Sequence, residues 1–289
     1  MAATAAVLAL SLTPISLAHA AYKFGTGGND KIKGTARSDV VRAKAGNDRV
    51  KARGGDDRVA AGGGNDIVFG GSGRDNLAGN AGNDLLRGNS GRDRLNGGSG
   101  NDRVYGDGGD DKIQLGIGND FGWGGAGGDV LMGLDGVDIL HGDAGDDHVS
   151  GGKGNDLIFG DAGDDSLDGG DGDDIIYAGP GDDGNQSHKR DRWDITGDEG
   201  DDTIIPGPGR DEVYGEEGFN HIIVRSDGAR DEIYCSRIND SNQGNGLLTY
   251  VGNDSDRRSK IDDIRKCDIE VLSESAFVEK YPYIILSLV

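Results

Sequence analysis

The stretch GGSGNDRVYGDGGDDKIQ, residues 97–114, contains two copies of a nine-residue unit. Each copy has glycines in its first half, an Asp at its sixth position and one aliphatic residue at its eighth. The unit repeats without insertion from Gly25 to Tyr177, which makes 17 consecutive nonapeptides. The sixth position is Asp in all 17, the fourth is Gly in 16, and the eighth is Ile, Leu or Val in 16. A period this regular decides the fold before any other feature of the sequence.

The composition is unfavourable for folding by hydrophobic burial alone. The 289 residues include 55 Gly and only 6% aromatic residues, and the formal net charge is −22. One buried aliphatic side chain per repeat contributes about 1.5–3 kcal/mol, whereas ordering the backbone costs about 1–2 kcal/mol for every residue. Such a composition is typical of disordered chains. Either the chain is disordered or a ligand supplies the missing free energy, and the strict period favours the ligand.

The repeat predicts a flattened coil of parallel strands. Each unit is interpreted as a six-residue turn followed by a three-residue strand, and two units make one coil. The eighth-position side chain points inward and its two neighbours point outward, with odd repeats in one sheet and even repeats in the other. The sixth-position carboxylates of neighbouring coils would then lie about 5 Å apart and repel one another. Calcium binds carboxylate and carbonyl oxygens, so it would relieve the repulsion while the Gly-rich turns present their carbonyl groups.

The unit resembles the G-G-x-G-x-D-x-U-x nonapeptide of the RTX family, the haemolysin-type calcium-binding repeats. The segments GGSGNDRVY (97–105), GGKGNDLIF (151–159) and GGDGDDIIY (169–177) match it throughout. This resemblance implies an all-β fold, namely a parallel β-roll. Such a roll is a right-handed solenoid of two sheets with 18 residues per turn and rows of Ca²⁺ along both edges. It implies no particular catalytic activity.

The predicted calcium ligands are sixth-position Asp side chains. Repeats two to five begin at Gly34, Ala43, Ala52 and Ala61, and they depart from the consensus, so they are expected to hold calcium weakly. About ten bound ions are expected in all. The predicted ligands are Asp30, Asp48, Asp57, Asp66, Asp75, Asp84, Asp93, Asp102, Asp111, Asp120, Asp129, Asp138, Asp147, Asp156, Asp165, Asp174, Asp183, Asp202 and Asp211.

The pattern also divides the chain into segments. The apolar start ends in an A-x-A cleavage pattern, Ala18-His19-Ala20, which predicts a secretory signal peptide cleaved after Ala20 and a secreted protein. A membrane anchor is the alternative, and residues 21–289 contain no transmembrane candidate. The predicted segments are a signal peptide (1–20), the RTX β-roll (21–183), an interrupting loop (184–196), further degenerate repeats (197–234) and a C-terminal cap (235–289).

The two cysteines, Cys235 and Cys267, lie in or at the edge of that cap. In an exported protein, an isolated pair predicts one disulfide, and two buried thiols are the alternative. The segment also resembles the tail of many exported bacterial repeat proteins, in which two cysteines close off the roll. An open parallel coil needs such a cap because its last strand has unpaired backbone groups.

The outer faces of the two predicted sheets differ. The odd-repeat face is apolar and aromatic, and the even-repeat face is polar. A contiguous exposed apolar surface marks an interaction site, for a glycan or a protein, unless the C-terminal segment or the interrupting loop covers it. Repeat 115–123 has Gly122 at the inward position, so either Leu115 or Ile117 turns inward or a partner covers the aromatics. The predicted partner face consists of Phe69, Tyr105, Phe121, Trp123, Phe159 and Tyr177.

Motifs for common enzyme classes are missing from the sequence. It contains neither H-E-x-x-H nor G-x-S-x-G, and His141 and His148 are interpreted as surface residues. We therefore predict a non-enzymatic, secreted, calcium-binding protein with a structural, adhesive or interaction role, folding that depends on calcium and no nucleic-acid partner. One alternative is a polysaccharide-binding module similar to those of secreted carbohydrate-modifying enzymes. Another is an enzyme with unfamiliar motifs.

Overall fold

The computed structural model describes residues 21–184, 195–225, 231–235, 246–251, 261–265, 267–272 and 280. These residues contain 26 β-strands in two parallel sheets of 13 strands each. The strands of sheet A are β1 (Ala21–Phe24), β3 (Asp39–Ala45), β5 (Arg58–Gly63), β7 (Asn76–Ala81), β9 (Arg94–Ser99), β11 (Lys112–Ile117), β13 (Val130–Asp135), β15 (His148–Lys153), β17 (Ser166–Asp171), β19 (Ile195–Glu199), β21 (Glu212–Tyr214), β23 (Asp231–Tyr234) and β25 (Ile261–Arg265). The strands of sheet B are β2 (Lys31–Lys33), β4 (Arg49–Gly54), β6 (Ile67–Ser72), β8 (Leu85–Ser90), β10 (Arg103–Gly108), β12 (Phe121–Ala126), β14 (Ile139–Ala144), β16 (Leu157–Phe159), β18 (Ile175–Tyr177), β20 (Thr203–Ile205), β22 (His221–Arg225), β24 (Gly246–Val251) and β26 (Cys267–Leu272).

The chain alternates between the sheets, so each strand pairs with the strand two places later in the sequence. In β10 and β12, for example, Val104 lies opposite Gly122 and Tyr105 lies opposite Trp123. The odd repeats form sheet B and the even repeats form sheet A. The predicted all-β, two-sheet parallel β-roll is therefore confirmed.

The same pairing continues beyond the predicted interruption. Ile175 of β18 lies opposite Thr203 of β20, an offset of 28 residues that the hydrogen bonds between these coils also show. Residues 185–194, with the basic cluster at Lys189, Arg190 and Arg192, lie outside the described residues. The roll thus absorbs an insertion without changing the register of either sheet.

The prediction of three-residue strands was wrong for most of the roll. A typical strand, such as β6 at Ile67–Ser72, has six residues and continues into the third position of the next repeat. The second position has a positive φ, which Gly or a short polar residue adopts most easily; φ is 122° at Gly71 and 78° at Asn80. Because every coil bends at the same place, the residues after the bend still pair with the coils above and below.

Inward-facing side chains come from the first, sixth and eighth positions of each repeat, while the seventh and ninth positions face outward, as predicted. The eighth-position aliphatic side chains are buried from Val41 to Ile222. At Gly122 the missing side chain is replaced by Leu115, which is fully buried and whose methyl carbons would lie 3.2 Å from an added Cβ. Ile117 is 62% exposed, so Leu115 fills the gap.

The C-terminal strands extend the same two sheets. β24 pairs with β22 and β26, and β25 pairs with β23. Cys235 is fully buried beside Gly246, and Gly246 lies opposite Cys267 in the β24–β26 pair. This arrangement brings the two cysteine backbones into the same region, and the disulfide stays a prediction. Among the described residues, no helix has the length and apolar character needed to cross a membrane.

Candidate metal centre

The sixth-position Asp side chains form two columns inside the roll, one leading into each sheet. Each of them immediately precedes the outward residue that begins the straight part of a strand. From Asp39 to Asp211, every sixth-position Asp is at most 3% exposed. Buried carboxylates require hydrogen bonds or cations, so the partners of each oxygen decide what the columns can do.

The Oδ1 atom of each carboxylate is bound by the backbone of the neighbouring coil. The Asp93 N–H group donates to Asp111 Oδ1 at 2.7 Å, and the Asp111 N–H group donates to Asp129 Oδ1 at 2.7 Å. The same bond recurs along both columns at 2.6–3.0 Å. These bonds fix the orientation of each carboxylate and direct its second oxygen towards the first position of its own repeat.

Over most of both columns, the Oδ2 atoms have no hydrogen bond of this kind. In the described part of the chain, they are buried and accept no hydrogen bond from the protein. An ionised oxygen in this state is strongly destabilising unless a cation binds it. The residues concerned are Asp48, Asp57, Asp66, Asp75, Asp84, Asp93, Asp102, Asp111, Asp120, Asp129, Asp138, Asp147, Asp156, Asp165, Asp174, Asp183 and Asp202.

Beside many of the Oδ2 atoms lies a position that is free of side-chain atoms because the first residue of the repeat is glycine. We call this position the glycine cradle. At Gly106, an added Cβ would collide with Asp111 Oδ2 and with the carbonyl oxygen of Gly124 on the next coil. A carboxylate oxygen and a backbone carbonyl oxygen therefore converge on a point that only a glycine leaves open. The first-position glycines that form such a cradle are Gly25, Gly34, Gly70, Gly79, Gly88, Gly97, Gly106, Gly124, Gly133, Gly142, Gly151, Gly160, Gly169 and Gly197.

The electrostatics of the columns also call for a cation. Burial is the main cause that raises the pKa of Asp111 to about 7 and those of Asp174 and Asp183 to about 8, and neighbouring carboxylates raise them further. The backbone hydrogen bond from the previous coil lowers each pKa but does not offset the burial. Without a cation, Asp111 would be about half protonated at neutral pH, and Asp174 and Asp183 would be mostly protonated.

The donor atoms fit calcium. Both groups that meet at a glycine cradle, the carboxylate and the backbone carbonyl, are hard oxygen donors, which Ca²⁺ binds in flexible geometry. Zinc prefers nitrogen and sulfur ligands, and the cradles contain neither.

Comparison with known families identifies the repeat. The RTX calcium-binding nonapeptide repeat model matches more than half of the chain. The chain belongs to the RTX calcium-binding repeat family. A comparison with curated proteins finds none that matches it. The match to the family model confirms the resemblance seen in the sequence. The matched segments are 24–59, 52–86, 87–121, 123–158, 150–184 and 194–222.

The two ends of this RTX roll satisfy their carboxylates differently. In the first repeat, Asp30 Oδ2 accepts hydrogen bonds from the Thr26 N–H group at 2.6 Å and from the Thr26 hydroxyl at 2.9 Å. In the second repeat, the Thr35 N–H group donates to Asp39 Oδ2 at 2.6 Å. Asp30 is thus the predicted ligand whose contacts favour calcium least. A Thr at the second position, present only in these two repeats of the uninterrupted array, is the signal that the sequence offered.

At the other end, an amide replaces the carboxylate. Asn220 is fully buried at a sixth position, and its Oδ1 accepts a hydrogen bond from the Asp202 N–H group at 2.9 Å, as in the Asp columns. Its Nδ2 donates to the Gly215 carbonyl oxygen at 2.6 Å. The amide N–H group occupies the place where an Asp would put a second oxygen beside the carbonyl. Asn220 therefore places a hydrogen-bond donor where the columns have an acceptor; its partner is the carbonyl of its own repeat, whereas the next-coil carbonyl beside Gly215 is that of Cys235.

Some repeats have a side chain where the cradle would be. Ala43, Ala52, Ala61 and Ala178 are fully buried at first positions, and their methyl groups take the place that glycine leaves open. Three of these four begin repeats three to five. A methyl group in the cradle leaves less room for an ion, which supports the expectation that the early repeats hold calcium weakly. That expectation stays a prediction.

The outer face of sheet B contains an aromatic ladder at successive ninth positions. The ring centroids are 4.4 Å apart for Tyr105 and Trp123, 6.0 Å for Trp123 and His141, 4.3 Å for His141 and Phe159, and 5.1 Å for Phe159 and Tyr177. Their planes are within 7° of parallel. His141, interpreted from the sequence as a plain surface residue, is the central rung of this ladder.

The other predicted members of the partner face lie beside the ladder. Phe121 is 6.0 Å from Trp123, and the Phe69 ring is covered by the side chains of Arg49 and Lys51. Arg87 covers Tyr105 at the first end of the ladder. Because the rings stack on one another, their faces are not open for a sugar ring, so these contacts do not favour a glycan on this surface.

Proposed function

We propose that this RTX protein is a secreted structural or adhesive protein whose β-roll forms only when calcium occupies the glycine cradles. The observation that carries the proposal is the run of buried Oδ2 atoms that face backbone carbonyl oxygens without a donor between them. About ten ions are expected, mainly in the repeats from Gly70 to Asp174, where the cradle is intact in every repeat except the one that begins at Leu115.

Binding and folding are coupled because the cradle does not exist in the unfolded chain. Each coil contributes oxygens to the site of its neighbour, so an ion can be held only after two coils have stacked. An ion that binds only the folded state stabilises it by about 2.7 kcal/mol when its concentration is about 100 times the dissociation constant. Extracellular calcium modules bind at about 10⁻⁴–10⁻³ M. A chain with sites in that range would stay unfolded at low calcium and fold after secretion.

We expect a structural rather than a catalytic role. The inward positions of the described repeats are occupied by Asp, Gly and aliphatic side chains, which serve the calcium columns and the core. The matched family model is itself a calcium-binding repeat. A calcium-locked rod of this kind suits a scaffold or an adhesive module.

The test is a calcium titration of the purified chain followed by far-UV circular dichroism. Above about pH 8, where the column carboxylates are mainly ionised, calcium-free protein should give a disordered spectrum, and millimolar Ca²⁺ should produce the strand signal. Mg²⁺ at the same concentration is the control, and it should fail because it demands tight octahedral geometry and releases its water reluctantly. A full strand spectrum in the calcium-free chain would contradict the proposal.

A further inference from the structure

Three metal-ligating side chains meet outside the calcium columns, on the outer face of sheet B. They are His141 at a ninth position, Asp143 two residues later and Asp161 at the equivalent position one coil on. One possible ligand atom from each lies within 4.8 Å of the other two. His141 Nδ1 is 2.9 Å from Asp161 Oδ2. The cluster offers one imidazole nitrogen and two carboxylates, a donor set that the columns do not contain.

The backbone and the aromatic ladder hold these groups in place. Asp143 and Asp161 have φ values of 73° and 68°, the bend that follows each ninth position. The Ala162 N–H group donates to the Asp143 carbonyl at 2.9 Å, which ties the two coils together at this point. The imidazole of His141 is stacked between Trp123 and Phe159. This stacking restricts rotation of the ring away from Asp143 and Asp161. The three ligands are thus arranged before any ion binds.

The equivalent positions three coils earlier show what the cluster lacks. There the residues are Arg87, Asn89 and Asp107. The Arg87 guanidinium donates to both oxygens of Asp107 at 2.7–2.9 Å, and Asn89 Nδ2 donates to Asp107 Oδ2 at 3.0 Å. One carboxylate is therefore neutralised by a permanent cation and an amide.

The later site reverses this balance of charge. An imidazole stands in place of the guanidinium and a second carboxylate in place of the amide, so two negative charges remain when His141 is neutral. The same framework thus changes from a carboxylate neutralised by a guanidinium to a His141–Asp161 pair with a second carboxylate, Asp143, beside it.

We propose that His141, Asp143 and Asp161 form a second metal site, which binds a first-row divalent transition metal such as Zn²⁺. Zinc binds imidazole nitrogen and carboxylate oxygen, whereas calcium takes oxygen ligands alone. Water would complete the coordination on the exposed side. The site is separate from the calcium columns, so it stands or falls independently of calcium-driven folding.

Calorimetric titration of Zn²⁺ into the full chain, with calcium kept saturating, tests this site. One Zn²⁺ per chain should bind, and the affinity should fall at least about tenfold in His141→Phe and in Asp161→Asn. Both replacement residues already occur at equivalent positions of the roll. Phe159 is the ladder residue one coil after His141, and Asn80 and Asn89 stand at the second position of their repeats, as Asp161 does, with the same positive φ. His148→Asn, on sheet A, is the control and should bind like the wild type.

A second readout uses Trp123, whose ring lies 6.0 Å from the His141 ring. In a Trp193→Phe background, Trp123 is the sole tryptophan, and Cu²⁺ as a probe should quench its fluorescence with saturation at one ion per chain. The His141→Phe variant should lose this quenching while keeping the calcium-loaded strand spectrum. Zn²⁺ affinity that is unchanged in both site variants, or no saturable Zn²⁺ binding by the calcium-loaded wild type, would overturn the proposal.

Discussion

The middle of the roll and its two ends solve the same electrostatic problem by different means. In the middle, Asp111 Oδ2 faces the Gly124 carbonyl across a glycine cradle, and no protein donor lies between them. At the first coil, Thr26 donates two hydrogen bonds to the corresponding oxygen of Asp30. At the far end, Asn220 replaces that oxygen with an N–H group. We therefore expect calcium in the middle to take the place of a hydrogen-bond donor that the ends supply themselves.

The comparison also separates geometry from charge. Asn220 keeps the bond from the Asp202 N–H group that holds every carboxylate of its column, so the amide changes the charge without changing the backbone. The repeated fold is thus compatible with either solution at each coil. We expect single residues at the first, second and sixth positions to determine which coils depend on calcium.

The largest effect should come from replacing calcium with protons. The pKa of the column carboxylates is raised by burial from the ordinary value of 3.8, to about 7 for Asp111 and about 8 for Asp174. The folded, calcium-free roll therefore binds protons more tightly than the unfolded chain, and its stability rises as the pH falls from about 8 towards 3.8. We expect calcium-free protein to gain strand signal in far-UV circular dichroism as the pH is lowered through this range.

The calcium-loaded protein is the control for that titration. Protonation stabilises the folded state as calcium does, so the calcium concentration at half-folding should fall as the pH falls, even though protons and calcium compete for the same oxygens. A spectrum of the calcium-free chain that does not change with pH would contradict the proposal that the carboxylates of the middle coils differ electrostatically from those at the ends.

A smaller loss is expected when one cradle is filled. Gly106→Ala places a methyl group against Asp111 Oδ2 and the Gly124 carbonyl, so one ion should be lost and the free energy of unfolding should fall by about 3 kcal/mol. Gly108→Ala is the matched control, because its nearest atom would be the Asn89 carbonyl oxygen at 3.8 Å. Urea denaturation at fixed free calcium measures both, and equal losses would mean that the cradle has no special role.

Converting an end into a middle coil should have an effect that depends on calcium. Asn220→Asp removes the hydrogen bond to the Gly215 carbonyl and sets two oxygens against each other. We expect the free energy of unfolding to fall by about 1–2 kcal/mol at low calcium and to recover when calcium is raised. Urea denaturation at two calcium concentrations separates these cases, and a loss of the same size at both would contradict this account of the end coil.

The smallest effect should come from the aromatic ladder, which crosses the middle coils on their outer face. Tyr105→Leu removes one stacked pair with Trp123 and the contact with Arg87, which should lower the free energy of unfolding by about 1 kcal/mol. The number of bound calcium ions should stay the same, because the side chain points away from the columns. A loss of bound calcium in this variant would show that the outer face is coupled to the metal sites.

The nonapeptide period was sufficient to predict the fold and the alignment of the sixth-position Asp side chains in columns. The inward and outward positions followed from alternation along a strand, and the missing side chain at Gly122 limited the alternatives to Leu115, Ile117 or a partner, of which the structure shows Leu115. These predictions succeeded because each coil repeats the environment of the one before it.

Features that depend on contacts between particular side chains could not be read from the period. The strands were expected to have three residues because the glycine-rich half was interpreted as a turn, whereas its bend preserves the pairing. The Thr26 and Asn220 bonds depend on single residues that leave the pattern. The ladder through His141 depends on rings 18 residues apart meeting face to face, and the sequence showed only that they share a surface.

The most direct test of the central claim is the anomalous diffraction of crystals of the calcium-loaded chain. The account predicts calcium peaks in the glycine cradles, beside the Oδ2 atoms of residues such as Asp111 and the carbonyl oxygen of the next coil. It predicts none beside Asp30, where Thr26 supplies the hydrogen bonds, and none beside Asn220. Peaks confined to the exposed surface, or peaks of equal height at Asp30 and Asn220, would contradict it.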